Sequence, residues 1–255
     1  MTQELAKKYQ KKSDKQHVLD NPDTYIGSIE NVNSNSFIFD NNSKKIIEKN
    51  ISYIPGLYKL FDEGIVNCRD HVIRMNQLLN ESNKKNKNKI HPVTKIDVSI
   101  SDDIISLYND GNGIDVSIHP EYNIWIPELI FGHLRTSTNY DKSEKKIVGG
   151  KNGFGFKLVL IWSTWGQIET VDFKTGQKYI QTFKNNLDII EKPIITKTND
   201  KPYTCVRFKP DFKRLGIEGL NDDFKSLLMR RIYDIAAVTN KSVNVTFNTN
   251  KLNPE

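Results

Sequence analysis

The chain has 255 residues, of which 37% are hydrophobic, enough to bury the core of one large domain or of two small ones. Its longest uninterrupted apolar run, Leu158–Trp162, is far short of the roughly 18 residues that a membrane-spanning helix needs, so we expect no membrane partner. The net charge of +6 permits a polyanionic partner without requiring one. Two cysteines, Cys68 and Cys205, are too few for a disulfide framework and predict buried free thiols in an intracellular, reducing compartment.

The first predicted element is an extended arm over residues 1–30, with a turn at Asn21-Pro22-Asp23, because the residue before a proline avoids the helical region. Three strand-like or hairpin-like segments follow: Ser36–Asp40, Asn41–Asn50 and Ile51–Ile54. Pro55 and Gly56 end this part of the chain.

A long amphipathic helix is predicted over Leu57–Arg74. Its apolar stripe has helical spacing and consists of Leu57, Leu60, Phe61, Gly64, Cys68 and Val72. The other side carries the polar residues Glu63, Asn67, Asp70, His71 and Arg74. The helical pattern weakens before Ser82–Lys89, a segment rich in lysine and asparagine. We interpret this segment as a solvated loop, and the alternative is that it contacts DNA.

The remainder of the chain alternates strands, hairpins and helices. The predicted strands are Thr94–Ser101, Ile104–Tyr108, Gln167–Lys174, Gln177–Lys184, Thr204–Pro210 and Val243–Phe247, with a hairpin turn at Asp102-Asp103. The predicted helices are Ile126–His133, a second that starts within Gly153–Lys157 and runs to Ser163, and Lys225–Thr239. This order favours an α+β layered sandwich over a doubly wound sheet.

Glu63 and Asn67 lie one helical turn apart, so their side chains project to the same place. An amide oxygen is a neutral hard ligand that suits Mg²⁺, and a carboxylate beside it can orient and deprotonate a water molecule. A carboxylate on the polar side of a helix is more often simply solvated. The neighbouring Asn67 favours the catalytic interpretation of Glu63, and a phosphate-binding segment elsewhere in the chain would support it further.

The segment Gly149–Gly155 is a candidate for that role, because it holds four glycines in seven residues and continues into the apolar run Leu158–Trp162. Exposed backbone N–H groups and a helix N-terminus at one point favour an anion, and Lys157 would add a positive charge. A flexible linker would not continue into a buried helix. The segment is not a Walker A motif, since GxxxxGK[ST] is absent.

A second glycine motif, Asn109-Asp110-Gly111-Asn112-Gly113-Ile114, directly follows a predicted strand. Turn chemistry alone explains this composition, and the spacing is a weak signal by itself. The alternative is that the two glycines let the backbone approach a flat base, while an Asn or Asp side chain accepts a hydrogen bond from the exocyclic amine of that base.

Taken together, Glu63, Asn67, the two glycine motifs and Thr204 resemble the motifs of the GHKL ATPase superfamily. The amino-acid sequences of individual segments are similar to those of the ATPase region of eukaryotic-type DNA topoisomerase II, a type IIA enzyme. These segments are Tyr9–Lys12, Asn21–Ser28, Pro55–Glu63, Leu129–Gly132, Ser137–Asp141, Gly149–Gly155, Tyr203–Cys205 and Met229–Asp234. The resemblance implies an α+β, two-layer Bergerat sandwich, in which helices pack on a mixed, mostly antiparallel sheet with ATP between the layers.

The resemblance also implies roles for individual residues. Glu63 would be the general base, Asn67 the Mg²⁺ ligand and a nucleotide contact, and Asn109 the reader of the adenine amine, with Thr204 nearby. Tyr9 would reach the nucleotide bound by the partner subunit. The other residues expected to bind the nucleotide are Asp70, His71, Gly111, Gly113, Ile114, Ser137, Thr138, Asn139, Gly150, Lys151, Asn152, Gly153, Phe154, Gly155, Phe156 and Lys157.

We therefore expect the ATP-binding and ATP-hydrolysing N-terminal gate of a type IIA DNA topoisomerase, found where DNA is, in the nucleus or the cytoplasm. Residues 1–30 would be a dimer strap and residues 31–255 the GHKL domain. ATP and Mg²⁺ would drive the formation of a homodimer that captures DNA in the full-length enzyme. The family's transducer domain and cleavage core are expected to be absent, so hydrolysis by this chain alone would be weak.

The sequence differs from the family pattern in two respects, and two alternative functions accompany the main expectation. His71 stands where the family commonly has a second asparagine, and would bring a different hydrogen bond or a sensitivity to pH. The chain ends where the transducer domain would begin. The first alternative is a nucleotide-dependent dimerisation clamp of another GHKL class, MutL-like or chaperone-like, with weak catalysis. The second is DNA binding through Lys84–Lys89.

Overall fold

The computed structural model describes residues 13–82, 90–101, 103–134, 155–248 and 250–252. Several predicted features lie outside these residues: the lysine-rich loop, the turn residue Asp102 and most of the first glycine segment. The site residues that lie outside are Tyr9, Ser137, Thr138, Asn139, Gly150, Lys151, Asn152, Gly153 and Phe154. Their roles stay predictions, as does the division of the chain at residue 30.

The described residues form six helices. They are α1 (Asp14–Asp20), α2 (Pro22–Tyr25), α3 (Pro55–Glu81), α4 (Ile126–Gly132), α5 (Gly155–Ile161) and α6 (Asp222–Ala237). The strands of the same residues, in chain order, are β1 (Val32–Asp40), β2 (Lys45–Tyr53), β3 (Lys95–Ile100), β4 (Ile105–Asp110), β5 (Ser163–Val171), β6 (Gln177–Lys184), β7 (Ile189–Ile190), β8 (Ile194–Lys197), β9 (Tyr203–Pro210), β10 (Asn244–Phe247) and β11 (Asn250–Lys251).

Within the described ranges, nine strands form one sheet in the order β11-β10-β3-β4-β9-β5-β6-β7, with β8 also paired to β6. Every pairing in this sheet is antiparallel except that of β10 with β3. Strands β1 and β2 form a separate antiparallel hairpin that packs against α6. The predicted α+β fold with helices on a mixed, mostly antiparallel sheet is confirmed.

Helices α3, α5 and α6 cover one face of the sheet, and the main core lies between the two layers. All six residues of the predicted apolar stripe of α3 are buried, as the helical spacing required. Gly64 brings the helix closest to the sheet: a Cβ atom there would lie 2.2 Å from Leu107 Cδ1 on β4. Cys68 and Cys205 are buried free thiols, as predicted, and burial raises the pKa of both.

The prediction of an extended arm is wrong from Asp14 to Tyr25, where the chain forms the helices α1 and α2. Ser13 caps α1, because its side chain accepts a hydrogen bond from the backbone N–H of Gln16. Val18 is fully buried in the main core, so tertiary packing stabilises this short helix. The Ser13-x-x-Gln16 spacing of a capping box was the available signal.

Other elements differ from prediction mainly in their bounds. Helix α3 continues to Glu81 rather than ending at Arg74, and the first hairpin has longer strands than expected. Strand β5 starts at Ser163 and ends at Val171, earlier than predicted. The short edge strands β7, β8 and β11 were not predicted, because two to four residues carry too little periodicity to be recognised.

Candidate functional site

The carboxylate of Glu63 on α3 lies against the start of α5. A Cβ atom at Gly155 would be only 2.9 Å from Glu63 Oε2 and 3.9 Å from Asn67 Nδ2. The other oxygen, Oε1, is 2.6 Å from Lys59 Nζ, one turn earlier on the same helix. The structure therefore brings together the carboxylate and the last glycine of the glycine-rich segment, which are more than ninety residues apart in sequence.

Asn67 is exposed at the same place, and its amide orientation is fixed by one hydrogen bond. Its Nδ2 group donates to the backbone carbonyl of Glu63 over 2.6 Å. Oδ1 is consequently directed away from the helix backbone, where it can accept a hydrogen bond or coordinate a hard cation. This is the orientation that a magnesium ligand needs.

Asp70 and Arg74 occupy the neighbouring turn. Asp70 is only 5% exposed, and its negative charge raises the pKa of Arg74, which burial lowers more strongly. The Asp70 side chain is thus a buried electrostatic partner within the helix. Its predicted contact with the nucleotide stays a prediction.

His71 is held against the second glycine motif. Its Nε2 atom is buried, and within the described part of the chain it has no hydrogen-bond partner. A Cβ atom at Gly111 would lie 2.7 Å from Nε2, so the glycine allows this close packing. Burial, together with the positive charge of Arg74, lowers the pKa of His71 to about 4, although Asp110 acts in the opposite direction. The imidazole is therefore neutral near pH 7.

The loop that follows β4 is anchored on both sides. The carboxylate of Asp110 accepts hydrogen bonds from the backbone N–H groups of Thr94 (2.7 Å) and Lys95 (2.8 Å). Gly113 has a φ of +70°, and a Cβ atom there would lie 2.0 Å from the carbonyl oxygen of Val171. Only glycine fits this position, which explains the second glycine of the motif.

Three polar residues form a row across β4, β9 and β5, on the face that the helices cover. Asn109 is opposite Thr204, and Thr204 is opposite Thr170, so all three side chains point to the same side of the sheet. Asn109 is 7% exposed and Thr170 is fully buried, whereas Thr204 is half-buried. The row brings together the two residues that the sequence associated with adenine.

Two residues that sequence reasoning missed support this row. The Thr170 hydroxyl accepts a hydrogen bond from the backbone N–H of Ile114 over 3.0 Å. The buried carboxylate of Asp172 accepts from the backbone N–H groups of Val116 (3.1 Å) and Lys174 (2.8 Å). Threonine in a strand looks like an ordinary β-forming residue, so no sequence signal pointed to its role.

Helix α5 contributes Phe156 and Lys157 to the candidate site. The ring of Phe156 meets the rings of Phe131 and Phe208 edge-on, with centroid distances of 5.6 and 6.3 Å. Lys157 is 3% exposed, and burial lowers its pKa to about 8. A buried lysine at this point can attract an anion at neutral pH.

The helix side thus carries Glu63 and Asn67, and the facing side of the sheet carries Asn109 and Thr204. In the described ranges, no group of three or more His, Cys, Asp or Glu residues could hold a metal ion. No helix among the described residues is long and apolar enough to cross a membrane.

No protein-family model matches the chain. DNA topoisomerase 2 of Acanthamoeba polyphaga mimivirus is 47% identical over 243 residues, which are 94% of this chain and 18% of that protein. DNA topoisomerase 2 of Saccharomyces cerevisiae is 44% identical over 248 residues, 96% of this chain and 16% of the relative. The crystal structure of the ATPase region of the Saccharomyces cerevisiae enzyme superposes with a TM-score of 0.89 and 42% identity, over 98% of this chain and 63% of that one.

This chain belongs to the eukaryotic-type DNA topoisomerase II family. The region of topoisomerase II that it matches is the ATPase region, as a second structure shows. The ATPase and transducer domains of topoisomerase II from Balamuthia mandrillaris superpose with a TM-score of 0.87 and 37% identity, over 96% of this chain and 61% of that one. The chain spans less than a fifth of the length of the curated topoisomerase II relatives.

The resemblance of the sequence to topoisomerase II is therefore confirmed, and topoisomerase II is favoured over a MutL-like or chaperone-like clamp. Thermus thermophilus gyrase B, whose 43K ATPase domain was solved with an aminocoumarin, matches with a TM-score of 0.62 and 18% identity. That match shows a shared GHKL fold alone. The two chains share the arrangement of helices on a sheet, although their sequences differ widely.

Proposed function

We propose that this chain is the ATP-binding and ATP-hydrolysing N-terminal gate of a type IIA DNA topoisomerase. The observation that carries the proposal is the contact between Glu63 Oε2 and Gly155, with Asn67 beside them. It puts a carboxylate at the end of a glycine-rich segment, where the terminal phosphate of a nucleoside triphosphate would lie. Membership of the topoisomerase II family supports the same function.

Adenine would lie against the row on the sheet. The side-chain oxygens of Asn109 and Thr204 would accept hydrogen bonds from its exocyclic amine, while Gly111 and Gly113 would let the backbone approach the base. The triphosphate would extend toward α5, where Lys157 adds a positive charge. Ser137, Thr138, Asn139 and the segment Gly150–Phe154 would complete the contacts with ribose and phosphate.

In hydrolysis, Glu63 would orient and deprotonate the attacking water. Its Oε1 is paired with Lys59, and its Oε2, which lies beside Gly155, would face the water. Asn67 would hold Mg²⁺ through Oδ1, and the bound ion would neutralise charge on the phosphates. General-base assistance of this kind is typically worth about 10²–10⁴-fold in rate.

Nucleotide binding would bring two copies of the domain together, with Tyr9 of each copy reaching the nucleotide of the other. In the full-length protein, closure of this dimer would capture a DNA segment, and hydrolysis would reset the gate. The relatives that carry this region are DNA topoisomerases, which act on DNA as their name states.

The variant Glu63→Gln tests the catalytic assignment, because it removes the base while keeping the size and shape of the side chain. We expect single-turnover ATP hydrolysis to fall by at least about 100-fold, with the dissociation constant for ATP changed by less than about threefold. Quantifying phosphate release and titrating ATP calorimetrically would measure the two effects.

The matched control is Glu48→Gln, on the exposed face of β2 and away from the site, which should leave both quantities unchanged. Loss of ATP binding together with hydrolysis would show that Glu63 is a structural residue. An unchanged rate would show that another group activates the water.

A further inference from the structure

The hydroxyl of Thr170 has all its hydrogen-bonding capacity committed. The residue is 0% exposed and lies between the loop that follows β4 and strand β9. Three groups surround Oγ1: the carbonyl oxygen of Tyr203 at 2.8 Å, the backbone N–H of Ile114 at 3.0 Å and the hydroxyl of Thr204 at 3.1 Å. A threonine hydroxyl has one proton to donate and two lone pairs to accept with, so three partners saturate it.

The direction of each bond follows from the chemistry of the partners. A carbonyl oxygen can only accept, so the Thr170 proton points to Tyr203. A backbone N–H can only donate, so Ile114 occupies one lone pair of Oγ1. The bond to Thr204 must then use the second lone pair, which makes the Thr204 hydroxyl the donor.

Thr204 consequently has no proton left for a ligand. It is half-buried and lies on the face of the sheet that the helices cover, so its oxygen is available there as an acceptor alone. Asn109, directly opposite on β4, donates one of the two N–H groups of Nδ2 to the carbonyl of Asp110 over 2.9 Å, and its Oδ1 is a further acceptor in the row. The Thr204 hydroxyl thus adds an acceptor and no donor beside Oδ1 of Asn109.

We infer that Thr170 is a positioning residue that makes the base site selective for a purine with an amino group at position 6 over one with a carbonyl group there. An amino group brings two N–H donors to two acceptors. A carbonyl oxygen beside Thr204 would face an acceptor instead of a donor, and the Thr204 hydroxyl oxygen would be left without a hydrogen bond on desolvation. The inference rests on the proposed function, since it concerns the base half of the proposed ATP site.

A purely structural role for Thr170 predicts a different result. If the hydroxyl only anchored Ile114 and Tyr203, its removal would weaken the binding of every nucleotide by the same factor. If it also fixes the direction of the Thr204 hydroxyl, its removal frees that proton to rotate toward a carbonyl on the base. The ratio of two affinities separates these cases, whereas one affinity does not.

The experiment compares the dissociation constants of ATP and of inosine triphosphate, which has a carbonyl at position 6, by calorimetry on the 255-residue chain. We expect the wild type to prefer ATP by on the order of tenfold or more. Thr170→Val should reduce this preference to within about threefold, and Thr170→Ser, which keeps the hydroxyl, should restore it. The control Thr182→Val removes a hydroxyl from the opposite face of the sheet and should leave the preference unchanged.

A second variant covers the case in which Thr170→Val does not fold. Thr204→Val leaves the bonds of Thr170 to Ile114 and Tyr203 in place and removes the acceptor together with the bond from Thr204 to Thr170. It should also reduce the preference for ATP. An unchanged preference in either folded variant, or equal binding of both nucleotides by the wild type, would overturn the inference but leave the proposed function standing. Binding of neither nucleotide by the wild type would overturn the proposed function, and the inference with it.

Discussion

At the scale of single residues, the direction of hydrogen bonds and the degree of burial decide what each side chain of the site can offer. Asn67 and Asn109 each donate one amide N–H to a backbone carbonyl, which fixes the orientation of the amide and the direction of Oδ1. One oxygen suits a hard cation and the other a base amine, and the difference lies only in what surrounds them. The residue type alone does not distinguish these roles.

His71 illustrates how burial sets a charge state. Its pKa is lowered to about 4 in the folded protein, against roughly 6.5 in an unfolded chain. Between these values the unfolded state binds a proton that the folded state does not. The free energy of unfolding should therefore decrease as the pH falls from about 6.5 to about 4 and be constant, as far as this group is concerned, above about 6.5.

The variant His71→Asn removes this titration. Denaturant unfolding at pH 7 and at pH 4.5 should show that the wild type loses about 2–3 kcal/mol more than the variant over this interval. Equal losses in the two proteins would mean that His71 is accessible to protons in the folded state, contrary to the burial of its Nε2 atom.

At the scale of elements, helix α3 acts as the common support of the site. Gly64 presses it against Leu107 of β4, which fixes the height of Glu63 above the sheet. Lys59 and Glu63 are paired in the order that is less favourable for a helix, with the cation on the N-terminal side, so their contact adds little to helix stability. We interpret the pair as a restraint on the carboxylate.

The loop after β4 depends on the glycines at its start, Gly111 and Gly113. Gly113→Ala would combine a positive φ with a Cβ atom 2.0 Å from the Val171 carbonyl oxygen. Gly216 has the same φ of +70° with no atom within 4 Å of the added Cβ, so Gly216→Ala isolates the cost of the backbone conformation. We expect Gly113→Ala to lower the free energy of unfolding by about 1–3 kcal/mol more than Gly216→Ala.

Denaturant titrations of both variants would measure that difference. Calorimetry should also show weaker ATP binding for Gly113→Ala alone, because the loop carries the base contacts of the proposed site. Equal destabilisation by the two alanines would indicate that the loop shifts without cost, and the tight fit at Gly113 would then have no energetic consequence.

At the scale of the whole molecule, the site lies between two layers that are brought together by one continuous core. Residues of α3 and of strands β3, β4 and β9 share that core, so the distance between Glu63 and the row on the sheet is set by packing rather than by loops. Close-packed protein interiors deform little. Two sets of side chains held in place by packing suit a nucleotide that must be held in one orientation.

The proposed gate function predicts a change of oligomeric state. With Mg²⁺ and a non-hydrolysable ATP analogue, light scattering after gel filtration should show the mass of a dimer, and without nucleotide the mass of a monomer. Tyr9→Ala should shift the transition to higher protein concentration, because the resemblance assigns Tyr9 to the nucleotide of the partner subunit. A monomer at saturating analogue would contradict dimerisation by this chain.

Local regularities allowed much of this molecule to be predicted from sequence. The 3.6-residue spacing from Leu57 to Val72 determined which side of α3 is buried, and alternation along Gln177–Lys184 gave that strand its bounds. Glu63, Asn67, the two glycine motifs and Thr204 indicated the GHKL superfamily, and the sequences of longer segments such as Asn21–Ser28 indicated topoisomerase II. Helix α1 was missed because its stability comes from the burial of Val18 and Leu19 in a distant core.

What only the tertiary structure decided is which separate segments meet and in which direction their hydrogen bonds run. The contact of Glu63 with Gly155, the packing of His71 on Gly111 and the saturation of the Thr170 hydroxyl each join residues from different elements. Sequence periodicity reports only the neighbours of a residue along its own helix or strand. The chemistry of the site depends on contacts across the layers, and these exist only once the core has fixed the helices on the sheet.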